Sequence, residues 1–222
     1  MDARWVYPPG DGTSSMVKLL IVRHGHVEGI APERFRGRRD ITLSERGLEE
    51  ARAVARYIAS RYEPTRIFTS PLRRCVQTGQ EIGRACNVSA SVQPELTDLD
   101  YGDWEWQTHA EVARDWPKLF ALWQTAPHRV RFPHGESLQD LAGRVSNALR
   151  SILEHHSGET VVAVGHDSTN RVMLLELLDL ALSGYRRLAQ DPCGLSEVDM
   201  DMQRILVRRV NETQHLTLSP SV

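Results

Sequence analysis

The chain has 222 residues and a formal net charge of −2, with 41% hydrophobic and 25% charged residues. This length and composition suit one globular domain with a full core. The slightly acidic balance gives no general attraction to nucleic acid or to anionic membranes, and no apolar run approaches the length of a membrane span.

The N-terminal segment and the cysteines favour a cytoplasmic protein. Residues 1–16 lack the apolar stretch of a secretion signal, and we expect them to form a flexible tail before a single domain at 17–222. The cysteines are odd in number and form no CxxC pair; they are Cys75, Cys86 and Cys193. Such usage is typical of a reduced protein in which each thiol is a small buried hydrophobic group.

Strands and helices are predicted to alternate in the first half of the chain. The apolar run at 17–22 is typical of a buried strand. Ser44 is expected to cap a helix with one buried face, formed by Leu48, Ala51, Val54, Ala55 and Ile58. After Pro64, residues 66–69 predict a short strand, and Ser70-Pro71 predicts a helix with proline at its first position.

The pattern changes between about Pro94 and Pro133. Residues 98–106 are irregular, and a single helix is predicted to follow, with the apolar residues Val112, Trp116, Leu119, Phe120 and Trp123. Four of the five tryptophans fall in this segment. We expect residues 94–134 to pack over the end of the sheet and cap a site; a peripheral helix anchored by tryptophans is the alternative. Exposed tryptophans here could also serve a homodimer contact.

The second half continues the alternation. A long amphipathic helix is predicted from Ser137 to near Gly158, followed by a strand at 160–165 and a helix at 169–182. Segments 195–201 and 204–210 predict a closing hairpin. Alternating elements of this kind indicate an α/β fold, a three-layer α/β/α sandwich with a mostly parallel central sheet.

Two histidines come directly after two of the predicted strands. His24 follows the first strand with Arg23 beside it, and His166 follows the strand at 160–165. Side chains just past the carboxyl ends of strands in an open sheet face the crevice where ligands bind. Phosphoryl transfer needs a nucleophile, cations for the equatorial oxygens and an acid for the leaving oxygen. The candidates are His24 as nucleophile, Arg23 and Arg74 as cations, and His166 as a cationic or hydrogen-bonding partner.

Four motifs stand in order along the chain, and a weaker fifth accompanies them. They are LIVRHG at 20–25, RFRG at 34–37 with Asp40 and LSERG at 43–47, SPLRRC at 70–75 with Gln77-Thr78, VAVGH at 162–166, and PHGES at 133–137. In these motifs the chain resembles the histidine phosphatase superfamily, in its phosphoglycerate-mutase-like branch. The resemblance covers residues 17 to about 175 and implies a phosphoglycerate-mutase-like fold.

The resemblance implies a role for each matching residue. His24 matches the phosphorylated histidine, Arg23 and Arg74 match the phosphate-binding arginines, and His166 matches the second histidine of the phosphate pocket. Asp98 stands where the family usually has a glutamate as general acid. The alternatives for the acid are Asp100 and Glu105.

The chain also departs from the family pattern near the phosphate pocket. Val27 and Ile30 replace a hydroxyl and an amide that usually bind phosphate, and Arg36, before Gly37, is expected to supply compensating charge. Asp167 replaces a common glycine, and we expect it to raise the pKa of His166 and favour its cation. These changes imply an altered substrate pocket.

Neither a metal nor a cofactor is expected. His26 and Glu28 lie near His24, but no HExxH or similar ligand set accompanies them. The other histidines, His109 among them, are expected to be solvent-facing or structural. The arginines of the first loop fit a polyanionic substrate or a solvated loop equally well; they are Arg34, Arg36, Arg38 and Arg39. Nucleic acid is disfavoured as a partner, because only Phe35 accompanies them to stack on bases.

The function predicted from the sequence is hydrolysis of a small phosphorylated metabolite through a covalent phosphohistidine, without metal. A phosphoglycerate mutase is the alternative, and a non-catalytic phosphate-binding module is a third. Only about thirty residues separate Gly102 from Pro133, and a short tail follows Val210. Mutases of the family that the chain resembles tend to carry a longer insertion after the acid-bearing segment and a C-terminal tail that closes the site, so the resemblance favours an open pocket that admits water.

Overall fold

A computed structural model of the chain describes residues 16–28 and 33–217. Its strands are β1 (Val17–Arg23), β2 (Arg66–Thr69), β3 (Ala90–Val92), β4 (Thr160–Gly165), β5 (Leu195–Met200) and β6 (Ile205–Glu212). Its helices are α1 (Glu45–Arg61), α2 (Arg73–Cys86), α3 (His109–Asp115), α4 (Pro117–Thr125), α5 (Leu138–His155) and α6 (Asp167–Leu177). The predicted N-terminal tail, apart from Met16, and Ile30 lie outside the described residues.

The strands form one sheet in the order β3-β2-β4-β1-β5-β6. The first four strands of this order run parallel; β5 is antiparallel to β1, and β6 is antiparallel to β5. This arrangement confirms the mostly parallel sheet. Strands β1 and β4 are direct neighbours, with Arg23 opposite Gly165 in the register. Since the two strands are parallel and end together, the residues that follow them emerge side by side.

Both faces of the sheet are covered, as a three-layer sandwich requires. Successive side chains of a strand point to opposite faces. Leu19 and Ile21 of β1 therefore join one core with helices α5 and α6, while Leu20 and Val22 join a second core with α1 and α2. In the part of the chain that the structure describes, no helix is both long and apolar enough to cross a membrane.

Helix α2 begins later than predicted. Its first residue is Arg73, so Pro71 precedes the helix instead of occupying its first position. A distant side chain caps this end, because an Asp40 carboxylate oxygen accepts a hydrogen bond from Arg73 N at 2.7 Å. The same carboxylate pairs with the exposed Arg73 side chain at 2.9 Å.

Two other helix predictions were wrong in their extent. The single helix expected over 112–123 is broken between α3 and α4, because Trp116 leaves helical geometry before Pro117, which has no N–H to continue the ladder. The helix expected to reach Leu182 ends at Leu177, where Asp179 takes a left-handed conformation at φ 52°. The edge strand β3 was not predicted.

Two of the four tryptophans in the segment at 94–134 are buried, and two are partly exposed. Trp104 and Trp123 are 0% and 4% exposed and belong to the core, and Trp106 and Trp116 are half-buried. Trp104 packs against Phe120 and Phe132, and Trp123 packs against Phe132. The homodimer stays a prediction.

Candidate active site

The register of β1 and β4 brings the two predicted histidines together. The rings of His24 and His166 lie edge to face with centroids 5.2 Å apart, and both side chains are buried. His24 N donates a hydrogen bond to Gly165 O at 3.0 Å, which ties the two strand ends to each other. Gly25 is required after His24, because a Cβ there would lie 2.4 Å from the carbonyl oxygen of Gly47.

The tautomer of His24 follows from its main-chain contact. Nδ1 lies 2.7 Å from the carbonyl oxygen of Gly25, and a carbonyl can only accept, so Nδ1 carries the proton. Burial, together with the charges of Arg74 and Arg23, lowers the pKa of His24 well below its usual value. The neutral ring therefore keeps a lone pair on Nε2, as a nucleophile needs.

Arg74 is the fully buried centre of the site. Its Nη1 and Nη2 donate to the carbonyls of Arg39 and Gly37, each at 2.7 Å, and its Nε donates to His166 Nδ1 at 3.2 Å. Nη2 also lies 3.3 Å from a carboxylate oxygen of Asp98. The guanidinium thus links the first loop, the second histidine and the candidate acid.

Arg23, the last residue of β1, lines the crevice. Its Nη1 donates to the carbonyl oxygen of Gln190 and lies 3.6 Å from Asp167. Its buried Nε has no hydrogen-bond partner among the described residues, so one donor of this guanidinium is left for an anion.

His166 is neutral, contrary to the prediction that Asp167 would favour its cation. Burial and the charge of Arg74 lower the pKa of His166 well below its usual value. Nδ1 accepts from Arg74, so Nε2 carries the proton and donates to Ser70 Oγ at 2.7 Å. The Asp167 carboxylate is instead engaged by Arg171 at 3.0 Å.

The carboxyl group of Asp98 reaches the crevice. It is 3.3 Å from Arg74 and 3.8 Å from His166 Nδ1. Burial raises the pKa of Asp98 more than the charge of Arg74 lowers it, which favours a protonated acid. The two other candidates for the general acid contact Arg38 instead: Asp100 pairs with its side chain at 3.2 Å, and Glu105 accepts a hydrogen bond from Arg38 N at 2.7 Å.

A cavity of about 490 Å³ opens beside these groups. Among its lining residues are Arg23, Arg36, Gly37 and Asp98, so Arg36 stands where compensating charge was expected. The segment at 94–134 contributes to the wall through Asp98, Tyr101, His109 and Trp123. The remaining charges are mixed in sign; they are Glu33, Arg34, Asp167, Arg171, Arg186 and Asp191.

Sequence reasoning missed several residues that hold the site. Ser70 was quoted as part of a motif, but its contact with His166 depends on β2 lying beside β4. His109 lies in the cavity wall with its ring 4.5 Å from Phe35. Glu136 was quoted only as part of the weaker motif at 133–137, and Arg144 gave no sequence signal of a functional role, because each acts on main-chain groups distant in sequence.

The described residues include no group of three or more histidine, cysteine, aspartate and glutamate side chains placed to hold a metal ion. The three cysteines are free thiols. Cys75 lies in the crevice wall, with Sγ 3.4 Å from His166 Nε2. Burial raises the pKa of Cys75, so its thiol stays protonated beside the histidine.

Comparison with known proteins agrees with this geometry. Residues 19–213 match the family described as histidine phosphatase superfamily (branch 1). A "Phosphoserine phosphatase 1" of Hydrogenobacter thermophilus is 34% identical over 201 residues, covering 90% of this chain and 95% of that protein. A "Probable phosphoglycerate mutase" of Yersinia pestis is 29% identical over 208 residues, covering 91% and 96%.

Solved structures show the same fold. A mycobacterial glucosyl-3-phosphoglycerate phosphatase complexed with VO3 superposes with a TM-score of 0.80 at 26% identity, covering 87% of this chain and 98% of that one. The chain therefore belongs to the histidine phosphatase superfamily, as the sequence motifs predicted. Within it, the chain is a phosphomonoesterase, in agreement with the phosphatase names of these relatives.

Proposed function

We propose that the enzyme hydrolyses small phosphomonoesters through a covalent phosphohistidine at His24. The observation that carries the proposal is the neutral His24, whose Nδ1–H is fixed on the Gly25 carbonyl while the charges of Arg74 and Arg23 act on its ring. A neutral imidazole near two guanidinium groups combines a nucleophile with the charges that hold a phosphoryl group.

In the first step, His24 Nε2 attacks phosphorus and the bond to the ester oxygen breaks. Arg23 and Arg74 donate to the equatorial oxygens, where negative charge is greatest. Asp98, whose pKa is raised chiefly by burial, gives its proton to the leaving oxygen, and the alcohol departs. The neutral His166, held by Ser70 and Arg74, keeps the guanidinium of Arg74 in place.

In the second step, water attacks the phosphohistidine. The Asp98 carboxylate accepts a proton from this water, the bond from phosphorus to Nε2 breaks, and His24 returns to its neutral form. Inorganic phosphate is released and Asp98 is again protonated, so the cycle closes without a metal ion.

The lining of the cavity favours a substrate with a small, charged leaving group. Its lining mixes arginine with aspartate and glutamate, which suits a metabolite carrying charges of both signs. We therefore propose phosphoserine, the substrate named for the Hydrogenobacter relative, as the first compound to assay. 3-Phosphoglycerate with a bisphosphoglycerate primer tests the mutase alternative, which the Yersinia relative suggests.

The proposal also covers the domain organisation of the enzyme and its cellular compartment. We take residues 17–222 as a single domain, because α5 and α6 share one core with the segment at 94–134. A reducing compartment such as the cytoplasm fits the free thiols Cys75, Cys86 and Cys193.

The deciding experiment traps the phosphoenzyme. Wild type is mixed with excess phosphoserine or p-nitrophenyl phosphate, quenched in base, where phosphohistidine survives, and digested for mass spectrometry. We expect phosphate on His24, turnover unaffected by chelator, and neither label nor turnover in His24→Ala. His155→Ala, on the exposed end of α5, is the matched control and should behave as wild type. Turnover that persists in His24→Ala would refute the proposal.

A further inference from the structure

Arg144, on α5, holds the main chain of the segment that carries Asp98. Its Nη1 donates to the carbonyl oxygens of Glu95, at 2.8 Å, and Thr97, and its Nη2 donates to Asp98 O at 2.9 Å. Within residues 16–28 and 33–217, no main-chain N–H donates to these carbonyls. Thr97 O also accepts from Thr169 Oγ1 at 3.1 Å, and Arg144 supplies the remaining hydrogen bonds that these carbonyls do not receive from the main chain.

Glu136 fixes the orientation of the Arg144 guanidinium. One carboxylate oxygen lies 3.2 Å from Arg144 Nε and the other lies 3.0 Å from Nη2. Glu136 also accepts a hydrogen bond from Asp100 N at 3.1 Å, so it binds the acid-bearing segment on the far side of Asp98. The side chains of Arg144 and Glu136 are only 17% and 18% exposed, which limits their motion and their screening by water.

The short side chain of Asp98 makes the position of its main chain decisive. Aspartate has one methylene fewer than glutamate, so rotation of its side chain can correct little displacement of the backbone. The carboxyl group must nevertheless stay beside Arg74, at 3.3 Å, and His166, at 3.8 Å. A shift of about 1 Å in a catalytic group can cost on the order of a hundredfold in rate.

The helix that carries Arg144 belongs to the framework of the site. Helix α5 packs against α6, which begins directly after His166. A carbonyl held by Arg144 is thereby fixed relative to the histidine and to Arg74. Lysine could not replace it fully, because a single ammonium lacks the planar fork that reaches several carbonyls at once.

We propose that Arg144 is a positioning residue for the general acid Asp98. It touches neither the phosphate nor the leaving group and acts by keeping the carboxyl within reach of the ester oxygen. This inference rests on the acid role proposed above for Asp98.

The test uses the dependence of the rate on the leaving group. An alkyl oxygen such as that of phosphoserine needs a proton to depart, whereas nitrophenolate departs without one. A misplaced acid should therefore slow the first substrate selectively. We expect Arg144→Met to lower kcat/KM for phosphoserine by about tenfold to a hundredfold, and for p-nitrophenyl phosphate by about twofold or less.

Matched variants separate positioning from general damage. Arg150→Met, on the exposed face of α5, should change neither rate. Asp98→Asn should show the same selective loss, and Asp98→Asn combined with Arg144→Met should lose no more than Asp98→Asn alone. The loss of kcat/KM for phosphoserine in Arg144→Lys should lie between that of wild type and that of Arg144→Met. If circular dichroism shows Arg144→Met to be unfolded, Arg144→Lys becomes the variant that tests the positioning role.

The possible failures can be told apart. Equal loss on both substrates, or no loss on either, in the folded Arg144 variants would overturn the positioning role while leaving that of Asp98 intact. If Asp98→Asn shows no leaving-group preference, the acid role proposed for Asp98 fails, and the inference about Arg144 falls with it.

Discussion

The Nε–H of Arg74 donates to Nδ1 of His166 at 3.2 Å, so this buried histidine is held in its neutral form. The positive charge of the phosphate pocket consequently comes from guanidinium groups rather than from an imidazolium. Arginine keeps its charge at every pH of interest, so the pocket stays cationic while both histidines stay neutral.

Arg74→Lys should weaken phosphate binding strongly. Lysine keeps the charge but cannot donate to the Gly37 and Arg39 carbonyls and to His166 at once. Hydrogen bonds to charged groups contribute about 1.5–3 kcal/mol, so we expect inorganic phosphate and vanadate to inhibit about 10- to 100-fold less well. The neighbouring Arg73, exposed and paired with Asp40, offers a control. Arg73→Lys should leave the inhibition constants within about twofold of wild type.

Gly37→Ala should disturb the loop that supplies a carbonyl to Arg74. Gly37 has φ 48°, and a Cβ there would lie 2.4 Å from Glu105 Oε1. We expect a loss of about 1–2 kcal/mol in the free energy of unfolding, with a raised KM. Gly143, where a Cβ meets nothing within 4 Å on helix α5, is the opposite case. Gly143→Ala should raise the free energy of unfolding, measured with urea, by about 0.5–1 kcal/mol. A Gly37→Ala variant as stable and active as wild type would contradict the strain expected at Gly37.

The buried histidines should make the fold sensitive to mild acid. The pKa values of His24 and His166 are lowered in the folded state, so below about pH 6.5 the unfolded chain binds more protons than the native one. Their contribution to stability is complete above about pH 6.5 and is lost as the pH falls toward the lowered values, by about 1.4 kcal/mol per pH unit for each histidine. Urea unfolding of His24→Gln between pH 5 and 7.5 should show a correspondingly shallower dependence, whereas exposed His155→Gln should match wild type.

Asp98 should make the stability of the fold depend on pH in the direction opposite to that of the two histidines. Its pKa is raised in the folded state, chiefly by burial, so its favourable contribution is present below the unfolded value of about 3.9 and is lost as the pH rises through the folded value. At pH 7 the ionised side chain costs stability, and Asp98→Asn should unfold at higher urea concentration than wild type. The difference between the two proteins should vanish near pH 4. A less stable Asp98→Asn at pH 7 would mean that the ion pair with Arg74 outweighs the cost of burial.

Motifs and strand periodicity predicted much of the fold and part of the site. The apolar runs of β1 and β4 end at His24 and His166, and neighbouring parallel strands end at one edge of the sheet. The convergence of these histidines could therefore be expected from the sequence. The extent of the helices could not, because the start of α2 is set by the Asp40 carboxylate, thirty-three residues earlier in the chain.

Local patterns in the amino-acid sequence were enough to predict the family, the alternation of strands and helices, and the residue types that meet at the sheet edge. These depend on local periodicity and on motifs a few residues long. Tertiary structure alone decided the protonation of the site and the support of its acid. The pKa of His166 depends on how deeply the ring is buried beside Arg74, and the position of Asp98 depends on an arginine of α5. Burial and long-range hydrogen bonds arise only when distant segments pack together, so no local pattern in the chain encodes them.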